Sequence, residues 1–145
     1  MPRGLSLVET IVIIGIIALL FVVGLPYFRS AQQNGAARGD AQTLLGDLRQ
    51  ANQLTLGEQV TYLIKLIDTS PPQYQLIKRL NSTDTVIKQH TLSSGVSWQH
   101  TSFTNNEIRF TTSSAAVEPG TITLNNTTNY TVTLTIPLSG YVYLH

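Results

Sequence analysis

Ile11-Val12-Ile13-Ile14-Gly15-Ile16-Ile17-Ala18-Leu19-Leu20-Phe21-Val22-Val23-Gly24-Leu25-Pro26-Tyr27-Phe28 is the stretch on which the fold turns. No charged residue lies between Glu9 and Arg29. As a helix, residues 5–25 would be roughly 32 Å long at about 1.5 Å per residue, enough to cross the ~30 Å hydrocarbon core of a bilayer. A secretory signal peptide has an apolar region of only about 7–15 residues and ends at a small-residue cleavage site. This stretch is longer, and Tyr27-Phe28-Arg29 follows it. It reads as a retained membrane helix. Arg3 precedes it and Arg29 follows it, so the flanking charges orient it weakly. The short N-terminus favours a cytoplasmic start, because most of the chain must lie on the other side.

Glu9 lies within the apolar segment, where an isolated carboxylate costs at least a few kcal/mol. Either it rests at headgroup level, or it requires a cationic partner.

The chain has 145 residues, enough for one domain. Lys and Arg number 9 and Asp and Glu 8, a balance too even for dominant phosphate binding. Charged residues are 12% of the chain, about half the usual ~25%. The apolar span explains part of that deficit; Thr, Ser, Asn and Gln fill the rest. Cysteine is absent. Disulfide scaffolds, Cys-ligated zinc, iron–sulfur clusters and thiol catalysis are therefore excluded.

The string Arg3-Gly4-Leu5-Ser6-Leu7-Val8-Glu9 resembles the processing motif of type IV prepilins, usually written G-F-T-L-I-E. Leu5 stands for the Phe, Ser6 for the Thr and Val8 for the Ile. In that family a membrane aspartyl peptidase cuts after the glycine and methylates the new N-terminus. The resemblance implies a leader of residues 1–4, cleavage between Gly4 and Leu5, and N-methylation of Leu5. It makes Glu9 and Pro26 assembly residues, since many type IV pilins carry a proline where Pro26 stands. Cleavage would create an α-amino cation at Leu5, and Glu9 of one subunit could pair with that amine on its neighbour. A buried charge is tolerable only when paired. Pro26 removes an intrahelical hydrogen bond, and with Gly24 nearby it marks residues 22–26 as a kink or melting point.

Beyond Arg29 the pattern becomes amphipathic. Ala37, Ala41, Leu44, Leu45, Leu48, Ala51 and Thr55 recur at three- and four-residue steps. Arg38, Asp40, Asp47 and Arg49 are expected mostly on the outer face. Gly57 is a plausible stop, so one long helix of about residues 5–56 is expected. Alternating stretches follow: Val60-Tyr62-Ile64-Leu66, Tyr74-Leu76-Lys78-Leu80, residues 86–92, 96–100, 108–110, 121–125, 130–136 and 141–144. Turn signals separate them at Pro71-Pro72, Asn81-Ser82, Glu118-Pro119-Gly120, residues 125–129 and Pro137 to Gly140. Enrichment in Thr, Val, Ile and Tyr argues for an antiparallel sheet. The expected fold class is α+β and pilin-like: a long N-terminal helix packed on an antiparallel β-sheet. Its divisions would be the leader 1–4, a membrane and filament-core helix 5–28, and an extracytoplasmic domain 29–145 with helix to about 56 and sheet over about 58–144.

Several pieces narrow the resemblance to GspH/FimT-type pseudopilins. They are Leu44-Leu45-Gly46-Asp47-Leu48-Arg49-Gln50-Ala51, Ile108-Arg109-Phe110, Gly120-Thr121-Ile122-Thr123-Leu124, and Thr135-Ile136 followed by Ser139-Gly140-Tyr141-Val142. Tyr141 departs from that family's usual arginine.

No catalytic constellation emerges. His90, His100 and His145 do not stand at metal-ligand spacing, no nucleophile elbow occurs, and no calcium loop or Walker lysine motif is present. No metal, cofactor or enzymatic activity is expected. Trp98, His100 and Phe103 are either a partner contact or, the favoured reading for Trp98, core packing. Lys78, Arg79 and Lys88 could form a basic patch, though solvation explains them better.

The resemblance thus implies a structural subunit, a minor pilin or pseudopilin of a type IV pilus or type II secretion system. It would start as a single-pass protein of the inner (cytoplasmic) membrane with its N-terminus in the cytoplasm. Other pilin or pseudopilin subunits, a prepilin peptidase, the inner-membrane assembly platform and membrane lipid would be its partners. The alternative is a DNA-binding minor pilin acting in DNA uptake. It is disfavoured because no Lys or Arg lies beyond Arg109.

Overall fold

The computed structural model describes residues 6–145. Gly4 and Leu5, where processing is expected, lie outside the described residues. One helix, α1, runs over Leu7–Glu58. Ser6 precedes it, and its hydroxyl accepts from the Glu9 N–H at 3.5 Å, a long capping contact. The chain divides into two compact units, one ending at Gln32 and the other comprising Gln33–His145.

Beyond Ser6, the described part of the first unit is helix alone. α1 includes Pro26, so residues 22–26, expected to kink or melt, are not melted in this structure. Proline's fixed φ is already helical, so the loss of one hydrogen bond to the Val22 carbonyl leaves this helix continuous.

The second unit contains the rest of α1 and eight strands: β1 (Thr61–Ile67), β2 (Gln73–Leu80), β3 (Thr83–Thr91), β4 (Val96–Thr101), β5 (Glu107–Arg109), β6 (Gly120–Asn126), β7 (Thr131–Ile136) and β8 (Tyr143–Leu144). A 3-10 turn, Thr104–Asn106, precedes β5. Each expected strand exists, but they divide into two antiparallel four-stranded sheets. Their orders are β3-β2-β1-β5 and β4-β6-β7-β8. Pairing explains the split: β4 bonds β6 from Val96↔Asn126 to Thr101↔Ile122 and leaves β3 as the edge of the first sheet. At the β2–β3 connection, Asn81 and Ser82 both have positive φ, which the tight hairpin requires.

The apolar stripe read from the sequence is the seam of this unit. Ala37, Ala41, Leu44, Leu48 and Ala51 are fully buried. The alanines let the sheets approach closely, while Leu44 and Leu48 each contribute about 1.5–3 kcal/mol by burial. Opposite them lie Tyr62, Ile64, Leu66, Tyr74 and Leu76 from the first sheet, and Ile122, Leu124, Leu134 and Ile136 from the second.

The helix ends at Glu58, within two residues of the expected stop, and Gln59 adopts the left-handed φ of 55°. One expectation fails here: Asp40 and Asp47 do not face outward. They are 5% and 4% exposed and stand within the apolar stripe. Burial is tolerable because strand residues answer both carboxylates, as detailed next.

Candidate functional site

The sequence points to α1 of the first unit as the functional surface. Every residue from Leu7 to Phe28 is exposed. Large apolar side chains stand open throughout: Ile11 is 60% exposed, Leu20 66% and Phe28 70%. A helix that is apolar all round belongs inside a bilayer or a bundle. At Gly24 no side chain beyond its immediate chain neighbours reaches within 4 Å of where a Cβ would be, leaving a notch beside Leu20, Phe21, Leu25 and Phe28. Glu9 is exposed in the first turn, on the same helix as the apolar span. Pro26 lies within the helix interior. The structure thus puts Glu9 and Pro26 on one element, whereas Gly4 and Leu5 precede the described residues.

The second unit is organised around ion pairs that sequence reading did not locate. Asp47 accepts from the Tyr74 hydroxyl at 2.7 Å and from Lys88 Nζ at 2.7 Å. Asp40 accepts from the Ser93 N–H at 2.7 Å and from the Ser93 hydroxyl at 3.2 Å; His90 Nε2 lies 3.4 Å away. The two aspartates therefore pin β2, β3 and the chain just after β3 to the helix. Burial, reinforced by the hydrogen bond to Asp47, pushes the Tyr74 hydroxyl well above the ordinary tyrosine range. Among the described residues no buried side-chain polar atom lacks a partner.

The possible basic patch does not form. Lys78 pairs with Glu58 at 2.6 Å, raising the lysine and lowering the carboxyl, to which Tyr62 also donates. Arg79 bridges Asp84 at 2.6 Å and Glu107 at 3.2 Å; its guanidinium holds Asp84 below the ordinary range. Lys88 is taken by Asp47. Such pairs near the surface are worth little in stability, but they remove free positive charge.

The aromatic cluster also divides. Phe103 is buried, Trp98 is half-buried and His100 is exposed. The Trp98 indole N–H donates to the Ile67 carbonyl at 3.3 Å, and its ring meets Tyr74 edge-on at 6.5 Å. Trp98 thus joins the two sheets, in keeping with the core reading. The arrangement presents an apolar helix and a globular unit whose buried polar groups are satisfied from within, among the described residues. Among the described residues no cluster of three or more His, Asp or Glu side chains is placed to hold a metal.

Comparison with known proteins agrees with this form. Residues 40–140 match the family model described as type II transport protein GspH. Among solved structures, the minor pseudopilin EpsH from the type 2 secretion system of Vibrio cholerae superposes with a TM-score of 0.62 at 14% identity, covering 76% of this chain and 96% of that one. The type IV minor pilin FimU of Pseudomonas aeruginosa strain PAO1 gives a TM-score of 0.63 at 13% identity, covering 83% of this chain and 92% of that one. At these identities the likeness shows a shared fold. No curated protein sequence matches the chain.

Proposed function

The chain belongs to the GspH family, and from that premise we propose that it is a structural subunit, a minor pseudopilin or pilin, which assembles through its N-terminal helix. The carrying observation is that every residue of the apolar span from Leu7 to Phe28 is exposed in the single chain. A surface of this kind must be covered by lipid before assembly and by neighbouring helices after it.

On this reading residues 1–4 are the leader, residues 5–28 cross the inner membrane and later line the filament core, and residues 29–145 are extracytoplasmic. The N-terminus begins in the cytoplasm. Prepilin peptidase cuts between Gly4 and Leu5 and the new amine is methylated. In the filament that amine answers Glu9 of a neighbouring subunit, and Pro26 supplies a point where the helix can unwind during packing. The subunit works with other pilins or pseudopilins and the inner-membrane assembly platform. The engagement of Lys65, Lys78, Arg79 and Lys88 by carboxylates argues against a phosphate-binding surface on the first sheet.

The test is co-expression with a prepilin peptidase and mass spectrometry of the mature N-terminus. The expected product begins at methylated Leu5. An intact Met1 terminus, or a cut beyond Phe28, would overturn the reading.

A further inference from the structure

We propose that the groove between α1 and the loop leading into β8 is a docking site for an acidic segment of a partner protein, anchored by Arg49 and Tyr141. The site belongs to the globular unit and does not depend on which assembly the apolar helix serves.

The groove has a volume of about 230 Å³. Its floor is rigid. The Asn52 amide donates to the Ser114 carbonyl at 3.2 Å and to the Gly140 carbonyl at 3.1 Å, while the Ser114 hydroxyl donates back to Asn52 at 2.7 Å. Ser114 holds a positive φ of 71°. Gly140, at φ 75°, passes so close to Ser114 that an added Cβ would lie 1.9 Å from its carbonyl oxygen. Only glycine closes this turn.

Above that floor stand two residue types that dominate binding energy elsewhere, an arginine and an exposed tyrosine, with an exposed leucine adding apolar surface beside them. Arg49 spends one N–H on the Val142 carbonyl at 3.0 Å and lies 5.6 Å from the centre of the Tyr141 ring. The ring and the backbone contact hold the guanidinium in place. Among the described residues no carboxylate lies within ion-pair distance of Arg49, in contrast to the paired cations of β1, β2 and β3. Tyr141 is 66% exposed and Leu56 48%.

The chemistry that fits is a carboxylate for Arg49 with an apolar neighbour against Tyr141 and Leu56. A nucleic-acid strand fits less well, because phosphate tracking needs several free cations and this groove offers one.

The test uses the full-length, isotope-labelled chain in detergent micelles. The probes are a blocked peptide of three Glu-Leu-Ser repeats and its Gln-Leu-Ser counterpart. Titration is followed by NMR at the Arg49 side-chain N–H and the Tyr141 ring. The Glu peptide should shift both signals and bind about tenfold or more tighter than the Gln peptide. Arg49→Gln, which keeps a donor for Val142, should abolish that preference with an unchanged melting curve. Arg49→Lys should retain part of it. Equal binding of the two peptides, no binding at millimolar concentration, or shifts mapping elsewhere would overturn the proposal. So would stronger perturbation of both signals by a single-stranded oligonucleotide of equal charge.

Discussion

Tyr74→Phe removes one oxygen from the centre of the globular unit and tests how α1 is fastened to β2. The ring is fully buried and should stay in place, since phenylalanine keeps its shape. What disappears is the 2.7 Å hydrogen bond to Asp47, a residue only 4% exposed, so water cannot replace the donor. A hydrogen bond to a charged acceptor is worth about 1.5–3 kcal/mol. For a unit of this size roughly 4 °C is lost per kcal/mol, so the melting midpoint should fall by about 6–12 °C. The assay is thermal unfolding in micelles followed by Trp98 fluorescence. Trp98 is the sole tryptophan, and its ring lies 6.5 Å from that of Tyr74. The control is Asp47→Leu. In that background the Tyr74 hydroxyl has lost its charged acceptor, so Tyr74→Phe should be neutral or mildly stabilising. A drop of less than about 2 °C in the parent, or an equal drop in both backgrounds, would refute the reasoning.

Alkaline stability follows from the same contact. The folded state raises the Tyr74 ionisation above its ordinary value of about 10, so its contribution is complete below that pH and is lost as pH climbs beyond it. Denaturant titrations from pH 9 upward should show a steeper decline in the parent than in Tyr74→Phe; parallel curves would contradict the assignment. Gly140→Ala forces a side chain into a left-handed turn and against the Ser114 carbonyl, and should cost at least about 1–2 kcal/mol in chemical unfolding. Gly46→Ala meets nothing within 4 Å on an exposed helical turn and should stabilise by about 0.4–1 kcal/mol; equal signs for the two would show the turn to be less constrained than described. Glu9→Ala should still be cut after Gly4 yet enter filaments poorly, measured as the ratio of assembled to membrane-bound subunit. Parent-like assembly removes the pairing role.

Periodicity carried most of the fold. The absence of charge between Glu9 and Arg29 marked the first unit, and the alternation in Val60-Tyr62-Ile64-Leu66 and its successors located the strands. The division into two sheets was not legible, because alternation identifies a strand but not its neighbours. Asp40 and Asp47 were misplaced for another reason. Their spacing puts them on the buried stripe: Asp40 is three residues after Ala37 and four before Leu44, and Asp47 is three after Leu44 and four before Ala51. Their polarity points outward while their position points inward, and position wins because Tyr74, Lys88, His90 and Ser93 downstream supply the partners that make burial possible. The Gly140 turn was visible as composition; the knot through Asn52 was not, since it joins residues 62 and 88 positions apart.

The two aspartates in the seam also constrain what the helix can mistake for its own sheet. An all-alanine-and-leucine stripe would adhere to any apolar helix, including the same stripe on another copy. With Asp40 and Asp47 in it, such a pairing would sequester two carboxylates without donors, a penalty of several kcal/mol each. Only a surface that brings the Tyr74 hydroxyl, the Lys88 ammonium and the Ser93 amide to the right heights relieves it. The stripe is therefore coded as well as greasy. It favours the chain's own sheets, which bring these donors, over any apolar helix that lacks them.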